Sequence, residues 1–515
     1  MKKVRKIRDK VVLHPIMSFI ILILITIVAS GILSLFDITG SYNIVNTKSN
    51  TLESTMITIE NLFSLRGLKY IFSNTLSNFA SFTPLTMLLI TLLGIGIMDK
   101  TGFLDTLFYA LTRKLRKNVV TFILAFISII SSIVGDIAYL VIIPISALLF
   151  KYGKRNPEAG IITAFAGIST GIGINICLNS IDSSLLTYTQ NAANLLKEGY
   201  TIKTTAFVFI MLVATIILSF IITNITEKNI IPRLGKYELE DEELEEEKYV
   251  SKKEIRSLNI SLIVGALYLL IFIYNIIPGL PLSGNLLDYS EKLYIDKLFG
   301  YNSFFNSGFV FVITILFFIL GLTYGILTKN IKNQREVCDT LSHSLDSMGK
   351  VLVLIFFASA FISILKYTNI GMLVTSWLTK LISSTNFTGL PLILLIFIVS
   401  AIATLFLPSS PLRWSIMSST VIPVLMNSGI SPEFGQVIFR ASESITYGLT
   451  PAMAYFVIYL SFMDMYNQDK KGIGLFSSLK YLLPYSISAL VMWIVIIIVW
   501  YLVGVPLGIG ASPLM

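Results

Sequence analysis

Residues 408–451 read PSSPLRWSIMSSTVIPVLMNSGISPEFGQVIFRASESITYGLTP, and the fold turns on how this stretch is understood. It lies in a long apolar region, yet it carries Ser409, Ser410, Arg413, Trp414, Arg440 and Glu443, and proline and glycine interrupt it repeatedly. A charge at membrane depth costs about 2.5–3.5 kcal/mol on insertion scales. Irregular backbone survives at that depth only where it is buried in protein or lines a watery cavity. The stretch therefore reads as a binding site inside a membrane protein.

Composition agrees. The chain has 515 residues, of which 54% are hydrophobic and 13% charged, with a mean hydropathy of +0.79. A soluble domain carries about 25% charged residues, so half that fraction indicates an all-α polytopic membrane protein. The net charge of +9 sits in short loops between apolar runs. That is the positive-inside pattern, not a nucleic-acid signal. It places the basic N-terminus MKKVRKIRDK on the cytoplasmic side, with residues 16–36 as a retained first span. Cys177 and Cys338 are too few for a disulfide framework, and His14 and His343 too few for a histidine metal site. No HExxH, GxSxG or P-loop occurs, so the chain is read as no enzyme.

Working outward, the lengths and loop charges divide the chain into six segments. Residues 1–78 hold the basic end, the first span and a polar external stretch from Asp37 to about Ser77. Residues 79–225 begin with an inward span at 84–98. Two short apolar runs follow, near 119–150, joined by SSIVGD. Each is short for a span of about 20 residues, so they read as a re-entrant hairpin with Ser131, Ser132, Gly135 and Asp136 at its tip. Two ordinary spans are the alternative, and Asp136 fits a turn residue as well as a ligand. The next crossing is broken by GISTGIGINICLNSID, which holds Asn175, Asn179 and Asp182. Residues 226–256 are a charged cytoplasmic linker, a solvated run and nothing more. Residues 257–347 supply two further spans and a cytoplasmic loop. Residues 348–466 contain a second short pair near 390–428 and a crossing broken around 440–451. Residues 467–515 hold the last span.

The two halves share fragments in order. Gly102 matches Gly371, Ser131-Ser132 matches Ser409-Ser410, Ile143-Pro144 matches Ile422-Pro423, and Asn156-Pro-Glu matches Ser431-Pro-Glu, all 269 to 279 residues apart. Loop charges give the copies opposite directions. Inverted repeats with broken helices are how many secondary transporters place a substrate site near the midplane. Arg440 and Glu443 are three apart and share a helix face. They form either a site in which a carboxylate competes for the arginine or a structural ion pair. Trp414 stacks on an aromatic ligand or fills the bundle. Asp182 binds a cation or proton, or caps a helix break.

These residues carry a resemblance to the p-aminobenzoyl-glutamate transporter (AbgT) family. It spans NFASFTPL (78–85), LGIGIMDKTGFL (93–104), GDIAYLVIIPISALLF (135–150) and AFAGISTGIGINICLNSIDSSL (164–185). It continues through RWSIMSSTVIPVLMNSGISPE (413–433), FRASESITYGLTPAMAYF (439–456), LLPYSI (482–487) and the terminal VPLGIG. The resemblance implies a homodimer in membrane lipid. Each subunit would have about nine transmembrane helices and two hairpins in two inverted repeats, with helices from 257–347 as scaffold and a bowl open to the cytoplasm. It implies ion-coupled movement of p-aminobenzoyl-glutamate, with efflux of sulfonamide antimetabolites in some members. Asp182, Trp414, Pro432, Arg440 and Pro451 match functional positions of the family. Asn175, Asn179, Ser409, Ser410 and Glu443 complete the expected substrate site. Glu443 stands where the family has Asp, Thr404 where it has Asn, Pro408 where it has Gly and Pro411 where it has Ser. Thr404 and Glu443 fall at the expected sodium position, and the coupling ion is Na+ or H+. A carrier of another small carboxylate, a dicarboxylate or dipeptide, is the alternative. A passive channel would pass substrate without any cation gradient.

Overall fold

The computed structural model describes residues 12–46, 51–174, 180–235, 237, 250–292, 294–300, 303–346, 348–468 and 472–515. Asn175, Asn179 and the acidic run 238–248 lie outside these.

Helix α1 (Pro15–Leu35) is followed by an antiparallel pair, β1 (Thr39–Asn46) and β2 (Thr51–Thr58), and then by α2 (Leu65–Ala80). This corrects the reading of 37–77 as one polar external stretch. Thr, Val, Ile and Tyr favour the paired strands, and the Ser64 side chain caps α2 by accepting from the Gly67 N–H. After a break at Ser81 and Phe82 the crossing continues as α3 (Thr83–Lys100), so it begins about 19 residues earlier than residue 84 suggests.

The first repeat runs from α3 through α4 (Phe103–Lys114), α5 (Lys117–Ile130), α6 (Ile137–Tyr152), α7 (Pro157–Gly171), α8 (Ser180–Asn194) and α9 (Val208–Ile225). A short α10 (Ile231–Leu234) leads to the middle segment: α11 (Lys252–Ile276), α12 (Tyr294–Phe299), α13 (Phe304–Thr328) and α14 (Gln334–His343). The second repeat is α15 (Met348–Tyr367), α16 (Ile370–Ser383), α17 (Gly389–Phe406), α18 (Ser410–Asn427), α19 (Pro432–Thr446), α20 (Phe456–Tyr466) and α21 (Leu475–Val503). Seven helices therefore match seven, in order, α3 with α15 through α9 with α21.

Local chemistry repeats with them. Asn156 and Ser431 each precede a proline and cap the next helix with their side chains, α7 and α19 respectively. Proline at the first helical position lacks only an N–H that would be orphaned anyway. Gly102 enters α4 with φ 84°, and its counterpart entering α16 is Asn369 with φ 61°, not Gly371. The left-handed backbone is what the two positions share, and glycine and asparagine both tolerate it. The serine match also shifts: Ser131 ends α5, whereas Ser409 and Ser410 open α18.

Helices α5 and α6 form a true hairpin, because their outer ends meet. Arg155, just past α6, donates to the Lys117 carbonyl at 3.4 Å and to Thr121 Oγ1 at 2.8 Å, and it pairs with Glu227 at 2.5 Å. Lys100, Arg113, Lys114, Lys117, Lys151 and Lys154 gather on this side, hereafter the basic face. A cavity of about 740 Å3 on that face joins His14, Lys350 and Asp464, so α1 and α15 start there and α20 ends there. The second hairpin, α17 and α18, is rooted on the opposite, far face. There the C-terminal tail crosses the start of α19: the Ser431 N–H donates to Pro513 O at 3.0 Å, and Ile430 bridges to Leu514. The direction reverses as expected.

Nine helices among the described residues are long and apolar enough to cross a membrane. Seven are continuous crossings, and two, Lys117–Val134 and Gly389–Phe406, are first arms of hairpins. The broken crossings α7–α8 and α19–α20 complete the spanning set. Every residue of α7 is buried, as is nearly all of α19, so the two broken helices form the centre of the molecule.

Candidate functional site

Four ionisable side chains meet where the broken helices cross. Arg413 stands in the first turn of α18, Arg440 and Glu443 lie within α19, and Asp182 is in the first turn of α8. Glu443 bridges the arginines: Oε2 accepts from Arg440 Nη1 at 2.5 Å, and Oε1 accepts from Arg413 Nη2. Arg440 Nη2 also lies 3.2 Å from Asp182 Oδ1. The side chains of Arg413 and Glu443 are 0% exposed, and those of Arg440 and Asp182 are 3% and 7% exposed. Two positive and two negative groups sum to zero, which is the condition for keeping charges in a low-dielectric interior.

Each guanidinium also closes a helix. Arg440 donates to the carbonyl of Ile172, the C-cap of α7, and Arg413 donates to the carbonyl of Leu407, the C-cap of α17. The last carbonyls of a helix have no internal partner and carry the negative end of its dipole. A buried cation satisfies both needs at once. The break after α7 and the tip of the second hairpin are thus each closed by an arginine of the second repeat.

Of the predicted residues, Asp182, Arg440 and Glu443 form the cluster itself, and the i,i+3 pair is present. Arg413 was singled out by its charge but not placed in the site. Its partner is 30 residues away on another helix, beyond any spacing rule. Trp414 is fully buried, 4.4 Å from the Phe439 ring, and its Nε1–H donates to Thr189 Oγ1 at 2.9 Å. Thr189 donates in turn to Gln436 at 2.7 Å. Here Trp414 fills the bundle, next in sequence to Arg413. Trp414→Phe should keep the ring contact and lose the hydrogen bond, lowering stability by about 0.5–1.5 kcal/mol. Trp414→Ala should lose about 3–5 kcal/mol. Thermal unfolding in detergent separates the two.

The rest are more dispersed. Pro432 begins α19, about 12 Å along the axis from Arg440 at 1.5 Å per residue. Ser409 is exposed and Ser410 buried at the tip of the second hairpin. Pro451 sits in the break after α19, where the Thr450 hydroxyl donates to Leu405 O at 2.7 Å. Thr404 is buried, its hydroxyl donating to Ser400 O at 2.8 Å. Both Glu443 oxygens are held by arginines. Among the described residues no group of three or more His, Cys, Asp or Glu side chains could hold a metal. Two polar atoms beside the cluster, Arg413 Nε and Ser444 Oγ, are buried without a partner among the described residues.

A charge-neutral ionic cluster at paired helix breaks, inside two inverted repeats, defines the class: a polytopic membrane transporter. The chain belongs to the AbgT transporter family, whose family model matches residues 1–515. It is 28% identical over 511 residues to the p-aminobenzoyl-glutamate transport protein of Escherichia coli (strain K12), covering 99% of this chain and 96% of that one. Among solved structures it resembles Neisseria gonorrhoeae MtrF, described as illuminating a class of antimetabolite efflux pumps. The two are 29% identical with 98% of each chain covered and a TM-score of 0.50. The Alcanivorax borkumensis YdaH transporter, described as having an unusual topology, is 28% identical with a TM-score of 0.49, covering 96% of this chain and 100% of that one.

Proposed function

We propose that this chain is an ion-coupled secondary transporter of p-aminobenzoyl-glutamate or a similar aromatic amido-carboxylate. The Asp182–Arg440–Glu443–Arg413 cluster would be the place where the substrate's carboxylates bind. One observation carries this reading: two buried arginines are neutralised internally while Arg413 Nε and Ser444 Oγ, both potential donors, stand beside them unpartnered among the described residues. An incoming carboxylate takes over guanidinium donors now given to Asp182 and Glu443 and fills the orphan positions. Charge-assisted hydrogen bonds of this kind are roughly twice as strong as neutral ones. The E. coli relative lends the substrate class. MtrF, described with a class of antimetabolite efflux pumps, lends a second cargo moved outward, and the family resemblance makes sulfonamide antimetabolites the candidates.

The basic face is cytoplasmic in this reading, by the positive-inside pattern, and the membrane is the bacterial inner membrane. The two repeats, α3–α9 and α15–α21, move against each other. The chain works as a homodimer across the helices of 257–347, where Ile263, Leu270 and Ile271 are exposed on α11. The coupling ion is Na+ or H+. Uptake of labelled p-aminobenzoyl-glutamate into proteoliposomes, with sodium and proton gradients imposed separately, tests the reading. Accumulation driven by one gradient is the expected result, and absence of flux under both would overturn it.

A second reading follows from Trp414. Its faces and its N–H are already occupied, so no free ring surface greets a benzoyl group. That favours a smaller dicarboxylate or dipeptide. Thermal stabilisation across a panel of carboxylates separates the two, since a ligand binding only the folded state raises its melting point.

A further inference from the structure

Hairpin 1, formed by α5 and α6, ends at a carboxylate that the cluster does not use. Asp136 occupies the N-cap position of α6, where an aspartate ordinarily accepts a hydrogen bond from the second or third N–H of the helix. It makes no such bond. Its side chain instead meets the Tyr447 hydroxyl, in the break after α19. Its Oδ1 is buried with no hydrogen-bond partner among the described residues. Leaving a carboxylate oxygen buried and unpaired is costly, and capping does not account for it.

Asp136 also lines a cavity of about 790 Å3 between α2, the break before α3, the end of α15 and Tyr455. Glu60, Lys366 and Asn369 line its far-face side, and Lys366 is exposed there. Water on the far face thus has a route to the hairpin tip. Behind Asp136, Tyr447 lies within electrostatic reach of Glu443, Arg413 and Arg440. One tyrosine therefore touches the cavity carboxylate and also faces the charge cluster.

We infer that Asp136 is a proton-binding site filled from the far-face cavity, and that Tyr447 links its protonation state to the Arg413–Glu443–Arg440 cluster. A proton from cavity water binds the Asp136 carboxylate, neutralises it, and returns to water when the hairpin tip faces the other side. The surroundings favour a proton over a metal cation. The Tyr139 hydroxyl shares a hydrogen bond with Ser169 Oγ at 3.1 Å, and the Tyr455 hydroxyl points at Met87 Sδ at 3.9 Å. A metal cation needs several converging ligands, and among the described residues no group of three or more His, Cys, Asp or Glu side chains could hold one, whereas a proton needs only the carboxylate. The other charged groups facing the site are Lys366 and Glu60 in the cavity and the cluster behind Tyr447.

This deepens the ion-coupled reading and rests on it for its physiological role, but its first test needs no substrate. Infrared difference spectra of the lipid-reconstituted protein across pH should show a protonated-carboxyl band that is missing in Asp136→Asn. In proteoliposomes that variant should lose the stimulation of uptake by an imposed proton gradient by at least about tenfold while gradient-free exchange persists. Asp136→Glu should restore gradient stimulation with a shifted pH profile, which a merely structural role would not produce. Tyr447→Phe should shift the band without removing it. An unchanged spectrum in Asp136→Asn, or a band that responds to Na+ at constant pH, would overturn the inference. A band lost in Asp136→Asn with no p-aminobenzoyl-glutamate flux would retain it and reject only the substrate.

Discussion

Arg440→Met should abolish substrate accumulation and destabilise the folded protein by about 3–5 kcal/mol, the usual consequence of removing one partner from a buried ionic group. Asp182 would lose the Arg440 guanidinium 3.2 Å away, and the Ile172 carbonyl its arginine donor. Glu443 would keep Arg413. The informative variant is therefore Arg440→Met with Asp182→Asn, which removes one positive and one negative group and leaves the Arg413–Glu443 pair intact. Most of the stability should return, because no uncompensated charge remains. Transport should not return, since a carboxylate that relied on Arg440 has lost charge-assisted bonds worth about 1.5–3 kcal/mol, roughly 10- to 150-fold in affinity. Thermal unfolding and proteoliposome uptake, measured on the same preparations, give the two readouts. Recovery of uptake in the double variant would show that Arg440 serves structure alone.

Gly173→Ala should be almost as damaging with no charge involved. Gly173 follows the end of α7 and lies against α19: a methyl group there would run into the Arg440 carbonyl oxygen and come within 2.6 Å of Ser444 Oγ. The obstacle is mainly backbone, which cannot rotate aside. The two broken helices would have to separate at the point where the ionic cluster is closed. Overpacking of this kind costs about 1–3 kcal/mol, and here it also pulls Arg440 away from the Ile172 carbonyl. Uptake should fall at least tenfold, with a melting point lowered by several degrees. Gly135→Ala is the contrasting substitution, because a methyl group meets nothing within 4 Å, although its φ of 66° makes that change strained for a backbone reason instead.

Much of this was legible from residues. Charges in apolar sequence located the cluster, since lipid gives Arg440 and Glu443 no other use. The prolines after Asn156 and Ser431 marked equivalent helix starts, because capping chemistry is local. What escaped was either non-local or conformational. The second partner of Glu443 is Arg413, brought in from a neighbouring helix by the hairpin's return. The equivalence of Gly102 with Asn369 depends on a left-handed φ, which residue identity alone does not reveal. The strands at 39–58 and the helix after Ser64 were readable, through β-branched residues and through Leu65, Leu68, Phe72 and Leu76 at helical spacing. The polar composition of the stretch masked both. Asp136 was ambiguous by its nature, because a turn aspartate and a proton site have the same sequence.

The arginine that closes α7 lies 268 residues beyond the carbonyl it closes. At a synthesis rate of roughly 5–20 residues per second, that interval lasts about 15–50 s. Throughout it the first repeat can be inserted while the end of α7 and Asp182 both wait for Arg440. The newly made half-protein is therefore an incomplete object held in the bilayer, awaiting its own C-terminal half. Its central joint closes only late in translation, when a single side chain supplies both a charge and a hydrogen bond.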